Sequence, residues 1–111
     1  MIPSVRGDLL RGHLDGLLLA VLADAPGHGY ELGERLTQRS GGALGVPEGS
    51  LYPALHRLER GALVESSWST REGRRRRIYR LTPAGRRAAR ASRREWRVFA
   101  SAVDRVLGPA A

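Results

Sequence analysis

The chain has 111 residues, a length that suits one domain with a modest core, which association with a second copy often completes. Its 19 basic residues, all of them arginine, outnumber 11 acidic ones and give a net charge of +8, which favours an anionic partner such as nucleic acid. The sequence has no cysteine, which excludes disulfides and thiolate metal sites. Its longest apolar run, Leu17–Ala23, is far shorter than the roughly 20 residues that cross a bilayer. We therefore expect a cytoplasmic protein without a membrane partner.

Three helices are predicted in the first half of the chain. Leucine and valine at helical spacing place helix 1 over Asp8–Ala25, where a Pro-Gly pair follows. Helix 2 opens at about His28 and ends at about Arg39, before Ser-Gly-Gly. Helix 3 runs from about Ser50 to Arg60, because Pro53 is tolerated only near the start of a helix.

A β-hairpin and a long helix complete the chain. Leu63–Trp68 and Ile78–Leu81 are predicted as two short strands that a long polar tip connects. Thr82 then offers a helix cap, followed by proline at the first helical position. The last helix can reach Leu107 before Gly108 ends it.

Two short helices followed by a hairpin form the arrangement of a winged helix-turn-helix, whose second short helix enters the major groove. We predict a mainly α fold with a small β-hairpin, organised as one compact unit. Residues 1–82 form the DNA-binding domain, and residues 83–111 form a C-terminal dimerisation helix. Helix 3 is the candidate reader of base edges and phosphates. Its outer side carries Ser50, His56, Arg57 and Arg60.

The hairpin contains the densest basic run of the chain, four consecutive arginines at residues 74–77. Strand alternation puts two of them on the face of Tyr79 and two on the opposite face. With Tyr79 packed inward, the arginines lie past the edge of the core, on a tip that can enter a minor groove or follow phosphates. The predicted DNA contacts are Arg75 and Arg77 on the Tyr79 face, and Arg74 and Arg76 on the other.

The last helix carries apolar residues in alternating steps of three and four, the pattern of a coiled-coil seam. A single chain would leave Trp96 and Phe99 partly exposed, so we predict a homodimer through this seam, assisted by helix 1. The expected dimer contacts are Ala89, Ser92, Trp96, Phe99, Val103 and Val106 on the last helix, with Leu10 and Leu14 on helix 1.

Three stretches resemble the PadR family of bacterial transcriptional regulators. They read LLRGHLDGLLLAVLADAPGHGYELGERL at residues 9–36, VPEGSLYPALHRLERGALVES at 46–66 and RRRRIYRLTPAGR at 74–86. Together they cover most of the chain, and the middle stretch is the most specific. The resemblance implies a winged-helix dimer, usually a repressor, of the smaller subgroup with a single C-terminal helix. It also implies DNA contacts at Tyr30, Ser50, Tyr52, His56 and the wing arginines.

Three aromatic residues keep two interpretations each. Tyr30 matches a DNA-contacting position of the family but also suits packing at a helix start. Tyr52 matches another, yet it lies at the margin of the outer side of helix 3 and also suits a structural role. In some family members an aromatic residue of the last helix lines an inter-subunit pocket for flat hydrophobic effectors. Trp96 can take that part here, or it can simply anchor the dimer core.

The sequence predicts neither catalysis nor a cofactor, because its three histidines lack metal-ligand spacing and no phosphate loop or nucleophile motif is present. We expect a homodimeric regulator, in the first instance a repressor, that binds double-stranded DNA at an inverted-repeat operator. A small aromatic or hydrophobic effector is the candidate signal that releases it. The alternative is a winged-helix protein-interaction module with nonspecific nucleic-acid binding.

Overall fold

The computed structural model describes residues 7–109, and its elements follow the order that the sequence predicts. They are α1 (Gly7–Asp24), α2 (Gly29–Arg39), α3 (Glu48–Arg60), β1 (Val64–Arg71), β2 (Arg74–Leu81) and α4 (Pro83–Leu107). The prediction of a mainly α fold with one small hairpin is confirmed. Within the described range, every helix is too short or too polar to cross a membrane.

Helix α1 forms the centre of the core. Leu14, Leu18 and Leu22 are each at most 2% exposed and pack with the apolar sides of α2 and α3 and with the base of the hairpin. Burying one such side chain stabilises the fold by about 1.5–3 kcal/mol. After α1 ends, Gly27 exchanges two backbone hydrogen bonds with Tyr79 of β2, at 2.9 and 3.1 Å. The α1–α2 connection is therefore tied to the hairpin before α2 begins.

Helix α2 begins at a capping box. Nδ1 of His28 accepts the N–H of Glu31 at 3.3 Å, and the Glu31 carboxylate accepts the N–H of His28 at 3.1 Å. The helix ends at Arg39, and Gly41 and Gly42, with φ values of 65° and 89°, then turn the chain through the left-handed region towards α3. The end points of α2 agree with the prediction.

Helix α3 starts two residues earlier than predicted, so that Pro53 lies in its second turn. Pro47 is the N-cap residue, and its carbonyl accepts the N–H of Leu51 at 3.0 Å. Pro53 removes one backbone bond, the one that the carbonyl of Gly49 would otherwise accept. The helix continues because Leu51 and Leu55, on its opposite side, are fully packed in the core. Restricting proline to the first turn was the error in the prediction.

The hairpin is longer and tighter than predicted. β1 and β2 pair antiparallel over eight positions each. A two-residue turn joins them, and its residues Glu72 and Gly73 have φ values of 51° and 73°. Two consecutive positive φ values mark a type I′ turn, which matches the twist of paired strands. The predicted long polar tip is wrong, because the arginines at 74–77 are paired strand residues.

The start of α4 is fixed at the base of the hairpin. The hydroxyl of Thr82 accepts the N–H of Gly85 at 3.0 Å and donates to the carbonyl of Ala62 at 2.7 Å. Gly85 is buried, and a Cβ added to it would overlap the carbonyl oxygen of Leu63. The first half of α4 then packs along α1, where the hydroxyl of Ser92 fills the space that a side chain at Gly16 would take.

The turn after α3 contains a strained residue. Ala62 has a φ of 59°, the left-handed conformation that costs alanine more than glycine. Replacing Ala62 with glycine is therefore expected to raise the free energy of unfolding by about 1 kcal/mol, measured by urea denaturation. The same change at Ala102, an exposed position inside α4, should lower it by a similar amount. A loss of stability in both variants would contradict the strain at Ala62.

Candidate nucleic-acid interface

The outer side of α3 presents part of the predicted reading surface. Leu51, Leu55 and Leu58 face the core, while His56 and Arg60 lie exposed on the opposite side. Ser50 is half-buried on one flank of the helix. An imidazole and a guanidinium on a protruding helix can donate hydrogen bonds to base edges or phosphates.

Arg57 points to a different part of the molecule. Its Nη2 donates to Oδ1 of Asp15 on α1 at 2.9 Å, and both side chains are about half exposed. An exposed pair of this kind contributes at most about 1 kcal/mol. The contact links α3 to α1, so we leave Arg57 out of the surface that we propose for base contacts.

The two tyrosines of the predicted interface lie together between α2 and α3. The Tyr52 ring packs on Gly29, with ring atoms 2.5–2.7 Å from where a Cβ at that position would lie. Tyr52 nevertheless keeps 36% of its surface exposed, so structural packing leaves part of the ring available. Tyr30 is 62% exposed, and a hydrogen bond to the Glu34 carboxylate raises the pKa of its hydroxyl. Tyr30 therefore has most of its ring free on the surface.

A cluster that we call the wing anchor joins the inner face of the hairpin to α3; it consists of Glu59, Ser66, Trp68 and Arg77. The Ser66 hydroxyl donates to Oε2 of Glu59 at 2.5 Å, and Nε of Arg77 donates to the Ser66 hydroxyl at 2.7 Å. Nη2 of Arg77 lies 3.5 Å from the same Glu59 oxygen. The Ser66 hydrogen bond, aided by Arg77, lowers the pKa of Glu59. These hydrogen bonds thus connect side chains of α3, β1 and β2.

Trp68 completes the wing anchor by holding two arginines on its ring. The guanidinium carbon of Arg75 lies 4.4 Å from the ring centroid, and that of Arg77 lies 5.4 Å from it. Each cation–π contact at an exposed site contributes about 0.5–1 kcal/mol. These contacts keep the inner-face arginines folded back on the hairpin.

The outer face of the hairpin forms a basic cleft with the start of α2. Arginine is the commonest residue in its lining, and the cavity measures about 740 Å³. His28 and Glu31 form part of the wall opposite the hairpin. On the wall of α2, Nη1 of Arg76 lies 2.5 Å from Nε2 of His28. The arginines that line the basic cleft are Arg35, Arg71, Arg74, Arg76 and Arg80.

The second half of α4 leaves its apolar side uncovered in the single chain. Trp96 is 51% exposed and Phe99 54%, and their ring centroids lie 5.8 Å apart. Val103 is half-buried, while Val106 is almost fully exposed. We call the uncovered side, formed by Trp96, Phe99, Val103 and Val106, the α4 seam.

Four other residues predicted for the dimer contact are used inside the chain. Leu14 belongs to the core and Leu10 is buried, which leaves them almost no surface for a partner. Ala89 packs against the same core, and Ser92 faces Gly16 of α1. Of the residues predicted for the dimer contact, those of the α4 seam therefore keep the most surface for a second copy.

A groove between α1 and α4 borders the α4 seam. It encloses about 430 Å³ and is lined mainly by apolar side chains, among them Leu17, Trp96 and Phe99. The ring centroids of His13 and Trp96 lie 5.1 Å apart, in an edge-to-face arrangement. By contrast, residues 7–109 contain no group of three side chains that could hold a metal ion.

Three short helices, a two-stranded wing and a long closing helix define a winged helix-turn-helix protein. Residues 18–91 match the model of the transcriptional regulator PadR-like family. The chain belongs to this family, and the predicted resemblance is confirmed. A transcriptional regulator of this family is a DNA-binding protein.

Proteins from several bacteria are similar to this chain in sequence or in structure. The transcriptional regulator Rv3488 of Mycobacterium tuberculosis is 44% identical over 72 residues, which are 65% of this chain and 64% of that protein. The solved structure of a Clostridium thermocellum transcriptional regulator matches with a TM-score of 0.84 and 26% identity, over 92% of this chain and 100% of that chain. A PadR family regulator from Clostridium difficile matches with a TM-score of 0.78 and 30% identity, over 87% of this chain and 100% of that chain. The chain thus spans about two thirds of the length of the Mycobacterium relative.

Proposed function

We propose that this regulator is a homodimeric repressor that binds an inverted-repeat operator. The observation that carries the proposal is the exposed side of α3, with His56 and Arg60, next to a hairpin rich in arginine. In this arrangement α3 reads bases in the major groove while the wing contacts the neighbouring backbone. A dimer presents two copies of α3 related by a twofold axis, which fits half-sites about one helical turn apart.

The α4 seam supports the homodimer. Its two aromatic side chains are about half exposed. They are among the largest apolar side chains of the molecule, so they leave much apolar surface in contact with water. Exposed apolar residues at coiled-coil spacing are stabilised when a second copy of the same helix covers them. A twofold dimer, in which the same surface of each copy meets the other, is the simplest assembly that buries the seam.

A small hydrophobic effector is the second part of the proposal. The groove between α1 and α4 is mainly apolar, and Trp96 stands both in this groove and in the α4 seam. A flat ligand stacked on Trp96 would therefore contact the place where α4 meets its partner. A ligand that binds one arrangement of the two copies better than another would shift the spacing of the reading helices.

Sequence preference is the property that tests the repressor proposal. A mobility-shift and footprint assay on DNA upstream of the protein's own gene is expected to show a twofold-symmetric site. His56→Ala should weaken operator binding about tenfold and reduce discrimination against altered half-sites. Arg94→Ala, on an exposed part of α4 away from the seam, serves as the control and should leave discrimination unchanged.

Binding that depends on DNA length and not on sequence would refute the operator proposal. It would favour the alternative of an interaction module that holds nucleic acid nonspecifically. If Arg94→Ala loses discrimination between operator and altered half-sites while His56→Ala keeps it, α3 is not the helix that contacts the bases.

A further inference from the structure

The arginines on the two faces of the hairpin have different surroundings. Strand pairing sets Trp68 opposite Arg77 and Thr70 opposite Arg75, which places both arginines on the inner face, the side of Tyr79. Arg74 and Arg76 alternate with them and lie on the outer face. The same four-residue run therefore supplies two pairs of equal charge in two different environments.

On the inner face, the arginines already have partners within the chain. Arg77 contacts the Ser66 hydroxyl, the Glu59 carboxylate and the Trp68 ring, and Arg75 lies over the same ring. The nearby carboxylate offsets the charge of Arg77 before any DNA arrives. Releasing either side chain towards a phosphate would cost the contacts that hold it. The contacts of Arg77 with Ser66 and Glu59 thus hold the hairpin in one orientation relative to α3.

On the outer face, positive charges face one another. Arg71 lies directly opposite Arg74 beside the turn, and like charges across a strand pair destabilise a hairpin. Arg76 and Arg80 add further charge along the same face of the basic cleft. Arg76 contacts the His28 ring and Arg80 the Ser67 hydroxyl, and neither partner carries a negative charge that would offset the arginines. Of the acidic residues lining the cleft, Glu31 accepts the N–H of His28 in the α2 capping box, while Glu72 belongs to the turn. An anion with oxygens at more than one position would relieve this repulsion.

We propose that the two faces of the hairpin have different functions. The wing anchor positions the hairpin on α3, and Arg71, Arg74 and Arg76 bind phosphate groups of the DNA backbone. The inference rests on the proposed function and adds which wing residues touch DNA. It also assigns Glu59, Ser66 and Trp68 as positioning residues, which act through Arg77 and make no contact with DNA.

A pair of double variants with equal charge loss tests this division. In Arg74→Ala/Arg76→Ala, affinity for operator and for random DNA should fall by the same factor. The slope of log affinity against log salt should shrink by about two, since each phosphate contact contributes about 0.9. The melting temperature should change little, because removing the repulsion on the outer face offsets the lost contact between Arg76 and His28.

In Arg75→Ala/Arg77→Ala, the salt slope should stay at the wild-type value. The melting temperature should fall, and discrimination between operator and altered half-sites should drop several-fold, because the wing is no longer fixed relative to α3. If this variant does not fold, Ser66→Ala takes its place, since it breaks the wing anchor without changing charge. Ser66→Thr keeps the hydroxyl and should restore discrimination.

The outcomes separate the two proposals. A wild-type protein that prefers no sequence overturns the proposed function and this inference with it. A wild-type protein that prefers its operator, with equal slope changes in both double variants, overturns the inference alone. So does a wild-type slope in Arg74→Ala/Arg76→Ala, or discrimination that Ser66→Ala leaves intact.

Discussion

A Gly85→Ala variant is expected to lose about 3 kcal/mol of unfolding free energy, although the change adds a single methyl group. The added Cβ would overlap the carbonyl oxygen of Leu63 and approach Cδ2 of Leu81 to 3.1 Å. The Leu63 carbonyl cannot simply move away, because it accepts the N–H of Thr82 at 3.1 Å. Relief of the overlap therefore requires α4 to shift from the hairpin. Thermal and urea denaturation of the purified protein measure the loss.

The matched control for this variant is Gly49→Ala. Gly49 is also a helical glycine, but a Cβ there would meet no heavy atom within 4 Å. Alanine is the better helix former, so this variant should gain about 0.5–1 kcal/mol. Equal stability of the two alanine variants would show that α4 does not approach the hairpin as closely as described.

Introducing a charge into the α4 seam is expected to convert the proposed dimer into monomers. In Phe99→Glu, each copy would bring a carboxylate into the seam in place of an aromatic ring, and burying an unpaired charge is costly. Since Phe99 is 54% exposed in the single chain, the fold itself should survive. Losing the linkage between two half-sites should weaken operator binding about 100-fold or more. Sedimentation velocity measures the mass, and a mobility shift measures the affinity.

Val98→Glu provides the control for the dimer prediction. Val98 is 71% exposed and lies on the side of α4 turned away from the seam. The same charge at this neighbouring position should leave both the mass and the affinity at wild-type values. A dimer that persists in Phe99→Glu but dissociates in Val98→Glu would show that the interface lies on the side of α4 opposite the seam.

Most of the fold could be predicted because it depends on local patterns. Leucines every three or four residues define α1, and the Thr82 cap followed by Pro83 defines the start of α4. The hairpin was drawn too short for an equally local reason. Four consecutive arginines lack the apolar–polar pattern that marks a half-buried strand, and Glu72 occupies a turn position where asparagine or aspartate is the usual signal.

The candidate site was less accessible to prediction, because its contacts join distant parts of the chain. Glu59 lies on α3, and nothing in the sequence shows that it meets Ser66 and Arg77. That contact follows from the strand register, which in turn depends on a two-residue turn. Arg57 presents the same difficulty, since its partner Asp15 lies on another helix.

The type I′ turn at Glu72 and Gly73 also restricts how wings of this kind can change length. One extra residue in each strand, placed between Tyr79 and the arginine run, would lengthen the tip by about 3.3 Å. It would also transfer every arginine to the opposite face. Two extra residues in each strand would add about 7 Å and return each arginine to its original face. Among proteins that keep this division of charge, each strand of the wing should therefore differ in length by an even number of residues. Insertions and deletions in aligned wings would show this pattern.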